Sequence, residues 1–175
     1  MPADHAGNRV ATGDLPPRSA LLRAFEASED GDHSILEVAR ALADCHLRRH
    51  RAVQAARVPG ASSGMIAACA HLLDDIDRRR AELVDRIDRW VAENVAHRSG
   101  ASLHTETLGA VIDRMAAKWT VAQQALHANG NGRAPRTPRA QGEAHLHWTR
   151  LAELADGYQD LITDVTEHRR RLPVW

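Results

Sequence analysis

Lysine is nearly absent from this chain: Lys118 is the single example, and arginine supplies the rest of the 23 basic residues. The basic residues are matched by 23 acidic ones, so the formal net charge is zero. A chain without a basic excess lacks the electrostatic footprint of a general nucleic-acid binder. Aromatic residues are scarce as well, at 3%, with Phe25 and Tyr158 each the only one of its kind. That composition is at odds with an all-β fold, whose strands draw on aromatic and β-branched side chains. Cys45 and Cys69 stand alone, with no CxxC spacing, which excludes a disulfide framework and fits a reducing cytoplasm. No apolar run approaches the ~20 residues that span a bilayer. The first residues, Met1 to Asn8, lack the basic start and apolar core of a signal peptide. A cytoplasmic protein is expected, with no nucleic-acid and no membrane partner.

What the sequence does hold is helical periodicity. Its 175 residues, 43% hydrophobic and 26% charged, suit one globular domain with a proper core. Residues 1–17 are polar and contain Gly7, Gly13, Pro16 and Pro17, so a flexible leader is expected there. A short helix is predicted over about 19–28, broken by the run from Glu29 to Asp32. Ser34 and Glu37 form a capping box, and Ile35, Val38, Leu42, Cys45, Val53 and Ala56 continue a helical stripe until Pro59-Gly60. The next helix is predicted from residue 62 or 63 to about 96. Its seam reads Ile66, Cys69, Leu73, Ile76, Arg80, Leu83, Ile87, Trp90 and Asn94, spaced alternately three and four apart. A seam arginine demands a carboxylate, because an unpaired buried charge is very costly. Asp113, Glu106 and Asp164 are the candidates for Arg80.

The central helix is predicted to start at a Ser102 cap, with Leu108, Val111, Ile112, Met115, Trp119, Ala122 and Leu126 as its apolar face. A second stripe runs Glu106, Ala110, Asp113 and Ala117, two carboxylates among small residues, with Gly109 beside it. Small residues let a neighbouring backbone approach, and a helix-interior glycine costs about 1 kcal/mol, so this face is read as turned inward. A mobile loop is expected at about 128–142, rich in Asn, Gly, Pro and Arg. The last helix is predicted over about 143–171, with Trp148, Leu151, Ala155, Tyr158, Ile162, Val165, Arg169 and Leu172 on its seam, before Pro173. The expected fold is all-α: a four-helix bundle of long antiparallel helices with a short extra N-terminal helix, in one domain over 18–175.

Three constellations bear on chemistry. His46 and His50 lie at i, i+4, a metal-type spacing, but no third ligand accompanies them and Arg48-Arg49 between them disfavour a cation. No metal and no cofactor is therefore expected. His104, Thr105, Glu106 and Thr107 are placed in the first turn of the central helix, where free N–H groups and partial positive charge favour an anion. There His104 can move a proton near neutral pH, although Thr105 and Glu106 equally suit a plain helix cap. Arg80, facing the carboxylates, is either a structural ion pair or one wall of an anion site.

The segment from Thr105 to Arg114 resembles the T-E-T-x-G-x-x-I-D-R signature of a bacterial all-helical family of unknown function. The run Arg79-Arg80-Ala81-Glu82-Leu83-Val84-Asp85-Arg86-Ile87-Asp88 is similar to that family's other helix, with Ala81 in place of an asparagine. The resemblance implies a place in bacterial specialised metabolism. The one chemistry it connects to is sulfate elimination closing an aziridine-type ring on an amino-acid-derived intermediate, by a two-chain complex. On that reading Glu106, Asp113 and His104 are catalytic, while Arg80, Arg114, Thr105 and Thr107 bind a small anionic metabolite. The partner is then a related chain in a hetero-oligomer, or a second copy. The alternative is a non-catalytic helical partner anchored through Trp90, Trp119, Trp148 and Trp175.

Overall fold

In a computed structural model, the described residues are 14–26, 34–130 and 138–173. They form an all-α fold of five helices: α1 Arg18–Glu26, α2 Ser34–Ala56, α3 Ser63–Asn94, α4 Leu108–Gly130 and α5 Pro138–Thr166. Helix α4 is the hub and touches each of the other four. Helices α2 and α3 pack on each other and both pack on α4, and α5 packs on α4 as well. Among the described residues the α5 backbone does not come close to that of α2 or α3. The short α1 fills the space that leaves, leaning on α2, α4 and α5. The core runs through this assembly as one cluster, with Leu42, Leu83, Ile112 and Met115 fully enclosed. No helix among the described residues is long and apolar enough to cross a membrane.

Several boundaries differ from those the periodicity predicts. Ser102 does not cap α4. It pairs with Arg170 in a two-residue parallel ladder, Ser102–Leu103 beside Arg170–Arg171, and the amide of His104 extends it by donating to the Arg171 carbonyl at 2.8 Å. Helix α4 therefore begins later, at Leu108, and its cap is Thr107, whose Oγ1 accepts the Ala110 amide at 3.2 Å. Helix α5 stops at Thr166 instead of reaching Arg171. His168 takes a left-handed φ of 57°, and the Arg169 amide turns back onto the Asp164 carbonyl at 2.8 Å. This reversal sends Arg169 outward from its predicted seam position, while Leu172 still reaches the core.

Most of the leader expected over 1–17, up to residue 13, lies outside the described residues. Its last part is held in place: Pro16 is buried, and its carbonyl accepts the Tyr158 hydroxyl at 2.6 Å. Burial pushes the Tyr158 phenol well above its ordinary pKa, so it stays a donor. Helices take up both ends of the loop predicted at 128–142, and 131–137 fall outside the described residues. Of the tryptophans offered as interface anchors, Trp90 and Trp119 pack partly against the core, Trp119 with its ring 6.1 Å from Phe25. Trp148 is half-buried, and Trp175 is outside the described residues.

Gly109 has the packing reason its position implied. A Cβ there would stand 2.6 Å from the Val84 carbonyl oxygen and 2.8 Å from Asp88 Oδ1. The missing side chain lets α4 touch the α3 backbone, and the Gly109 amide donates to Asp88 Oδ1 at 2.8 Å. Gly109→Ala gains helix propensity of about 1 kcal/mol yet forces two backbones apart. A net loss of about 1–3 kcal/mol is expected, read as a lower urea midpoint at unchanged slope.

Candidate functional site

The polar centre of the molecule is built by three helices around one carboxylate. Asp113 stands on α4 one turn beyond Gly109, so the close α3–α4 approach sets its distance from α3. Arg80, on α3, meets it with two groups: Nε donates to Oδ1 at 3.2 Å and Nη2 to Oδ2 at 2.6 Å. From α2, His46 Nε2 lies 2.8 Å from Asp113 Oδ1. A carboxylate only accepts, so this nitrogen carries the proton. The Arg80 and Asp113 side chains are 25% and 16% exposed, so neither charge is fully solvated. Burial pushes the Asp113 carboxyl up, but the hydrogen bonds from His46 and Arg80 outweigh it and hold the pKa below the usual value. The same bond to Asp113 raises Arg80 further. Asp113 is an anion at neutral pH.

A second carboxylate completes the cluster on its solvent side. Arg80 Nη1 donates to Asp77 Oδ1 at 2.9 Å, and Arg49 Nε from α2 donates to the same oxygen at 3.3 Å. Asp77 thus bridges two guanidinium groups at the surface. The sequence pattern assigns neither Arg49 nor His46 to a site. The His46–His50 spacing raises only a metal, whereas the ring of His46 serves Asp113. Among the described residues no group of three or more His, Cys, Asp or Glu side chains could hold a metal.

The Glu106 region forms a separate arrangement. Glu106 precedes α4, so it does not continue a helical stripe with Asp113, as the i, i+7 spacing suggests. Its carboxylate pairs with Arg114 through two bonds of 2.7 Å, Nη1 to Oε1 and Nη2 to Oε2. Both side chains are substantially exposed. His104 Nδ1 lies 2.8 Å from the Glu106 carbonyl oxygen, shaping the turn before the helix. Thr105 is exposed, and Thr107 is taken up by the cap and by a bond to Asp88. The structure therefore brings Arg80 and Asp113 together and ties Glu106 to Arg114. Asp164, the third candidate for Arg80, pairs with Arg169 and Arg170 instead.

Two surface recesses lie elsewhere. One of about 180 Å³ is lined by Ser34, Ile35, Arg86 and Trp90 among others, and one of about 350 Å³ by Ala96, His97, Arg98 and His168. Cys45 is buried in the core, and burial raises its thiol pKa, so it is a packing residue and not a nucleophile.

An all-helical domain with a half-buried arginine–aspartate–histidine cluster is the class these features define. The chain belongs to the family described as protein of unknown function (DUF4254), whose model matches residues 36–174. No curated protein and no solved structure matches it.

The Asp113 carboxyl titrates lower in the folded protein than in the unfolded chain, so it lends stability that is complete above the ordinary value of 3.8. That stability drains away as the pH falls through this value towards the depressed native one. Asp88 acts with the opposite sign. Burial raises its pKa against the bonds from Gly109 and Thr107, so it loses stability as the pH rises from 3.8 through its raised native value. The Asp113 contribution is thus read as a difference. Asp113→Asn should lose about 1–3 kcal/mol at pH 7. Between pH 7 and pH 3 its urea midpoint should fall less than that of the unaltered protein.

Proposed function

We propose that the chain is an enzyme, or one chain of a two-chain enzyme, that acts on a small anionic metabolite at the Arg80–Asp113–His46 cluster. The observation that carries this reading is Asp77, a solvent-facing carboxylate held between Arg49 and Arg80. Two guanidinium groups converging on one exposed carboxylate make a position that an external oxyanion can take in its place. Behind it, Arg80 is fixed by Asp113, and Asp113 fixes the proton of His46 on Nε2, leaving Nδ1 as the ring's acceptor. An oxyanion exchanging with Asp77 would sit within reach of a preset donor and a histidine–carboxylate pair.

The finer reading draws on the family resemblance: elimination of sulfate from an amino-acid-derived intermediate in bacterial specialised metabolism, with closure of an aziridine-type ring. The amine nitrogen attacks the carbon that bears the sulfate ester, the C–O bond breaks, and sulfate departs with its electron pair. The proton released by the amine passes to His46 or Asp113. Arg49 and Arg80 hold the departing sulfate. His104, Glu106 and Arg114, with Thr105 and Thr107, shape the entrance at the start of α4, and Glu106 is kept as an alternative base. The four long helices serve on this reading as a four-helix bundle scaffold, in a cytoplasmic complex with a related chain or a second copy.

The test begins with inorganic sulfate, titrated calorimetrically into the purified protein. Binding is expected in the unaltered protein, stronger by about tenfold in Asp77→Asn, where the competing charge is gone, and lost in Arg80→Gln. Absence of sulfate binding in both the unaltered protein and Asp77→Asn sinks the reading. In the native complex, Asp113→Ala is expected to abolish turnover while helicity by circular dichroism is retained.

A further inference from the structure

The recess between the start of α2 and the last turns of α3 joins charge of both signs to an apolar floor. That floor is Ile35 and Val38 of α2 with Ile87 of α3, all buried, and half-buried Trp90 lies beside them. Arg86, Arg89 and Glu93, exposed side chains of α3, complete the lining. Earlier on α3 the arginines are engaged: Arg78 with Asp75, Arg79 with Glu82, and Arg80 with Asp77 and Asp113. Those of the recess are not. Arg89 has Asp85 four residues before it and Glu93 four after, a spacing that lets side chains on one helix meet. Among the described residues neither pair forms. Arg86 makes no ion pair there either, since Glu82, one turn before it, is taken by Arg79.

Charges that line one recess without being tied to each other are open to an external partner. Their order along α3 fixes what complements them. Arg86 and Glu93 stand at opposite ends, ~10 Å apart along the helix axis, with Arg89 and Trp90 between. Arg89 and Glu93 are only ~6 Å apart along it, so their long side chains can close on two opposite charges borne by one carbon. A carboxylate taken by the guanidinium groups and an ammonium against Glu93 leave the remaining substituent over the apolar floor. The volume of about 180 Å³ is below the ~300–1,000 Å³ of sites for drug-sized ligands, which limits the occupant to a small molecule.

We propose that this recess binds a free α-amino acid with an aliphatic side chain, its carboxylate on Arg86 and Arg89 and its ammonium on Glu93. The site is separate from the Arg80–Asp113–His46 cluster. Ser34, which also lines the recess, precedes His46 by twelve residues of α2, ~18 Å of helix. The inference goes beyond the reading above, and neither depends on the other.

The experiment titrates L-leucine into the isotopically labelled full chain and follows the Trp90 indole N–H resonance by NMR, assigned with Trp90→Phe. Exposed charge contacts are individually weak, so a saturable shift with a Kd on the order of 1 mM is expected. Arg89→Gln and Glu93→Gln change only exposed side chains and should each weaken binding about fivefold with the fold intact. Isocaproate, which lacks the amine, and isopentylamine, which lacks the carboxylate, should each bind about fivefold more weakly than leucine. Glycine, without the apolar body, should give no saturation. Asp77→Asn, which alters sulfate binding on the reading above, should leave leucine affinity unchanged. A leucine shift that does not saturate, isocaproate or glycine binding as tightly as leucine, or affinity unchanged in either recess variant overturns the proposal. Leucine binding that responds to Asp77→Asn places the ligand at the other cluster and overturns it too.

Discussion

Arg80 constrains the molecule more than any other residue, because it sits where an apolar seam expects a hydrocarbon. A guanidinium withdrawn from water must recover its lost hydration from protein groups, and an exposed ion pair would not recover enough. The recovery comes from Asp113 through two hydrogen bonds, one of them 2.6 Å long. Asp113 in turn belongs to a helix that can reach α3 only because Gly109 lacks a Cβ. Ion pair and close approach depend on each other: separating the helices would strand the charge, and removing the charge would leave a polar gap in the seam.

The start of α4 shows the same coupling from another side. Asp88 accepts the Gly109 amide, so a residue of α3 satisfies a donor that α4 leaves open at its first turn. Together with the Thr107 cap, this fixes where α4 begins and therefore the level at which Asp113 meets α3 and His46. The chain before it is drawn off to pair with Arg170 and Arg171, which keeps Glu106 out of the helix and gives it to Arg114. Two carboxylates that share a stripe on paper thereby acquire different partners and different exposures. Asp113 is held by hydrogen bonds from His46 on α2 and Arg80 on α3. Glu106 is held by a surface pair that solvent screens.

Much of the architecture is legible because it rests on periodicity. The seams of α2, α4 and α5 are buried largely where their spacing puts them, whereas on the α3 seam only Ile76, Leu83 and Ile87 are enclosed and Ile66 and Asn94 are exposed; Ser62 stands at the α3 N-cap. The need of Arg80 for a carboxylate arises from charge and position alone, and Asp113 is among the three candidates. The ends of helices are less legible. Nothing local distinguishes a Ser102 that caps from a Ser102 that pairs with a strand nearly seventy residues away. The left-handed turn at His168 has no glycine or asparagine to announce it. His46 and Arg49 escape a reading of the sequence because their partners lie on other helices, Asp113 on α4 and Asp77 on α3.

The all-helical class, the stripes that become the core, and a seam charge in need of neutralising are already set in the order of the residues. These properties depend on side chains three and four residues apart, which meet on any helix whatever it packs against. Packing chose which carboxylate neutralises Arg80, brought a histidine to join it, and left Glu106 apart. Those outcomes depend on the register between helices, set by a missing Cβ at Gly109 and a ladder that starts α4 late. A register is a relation between distant segments, and no single segment carries it.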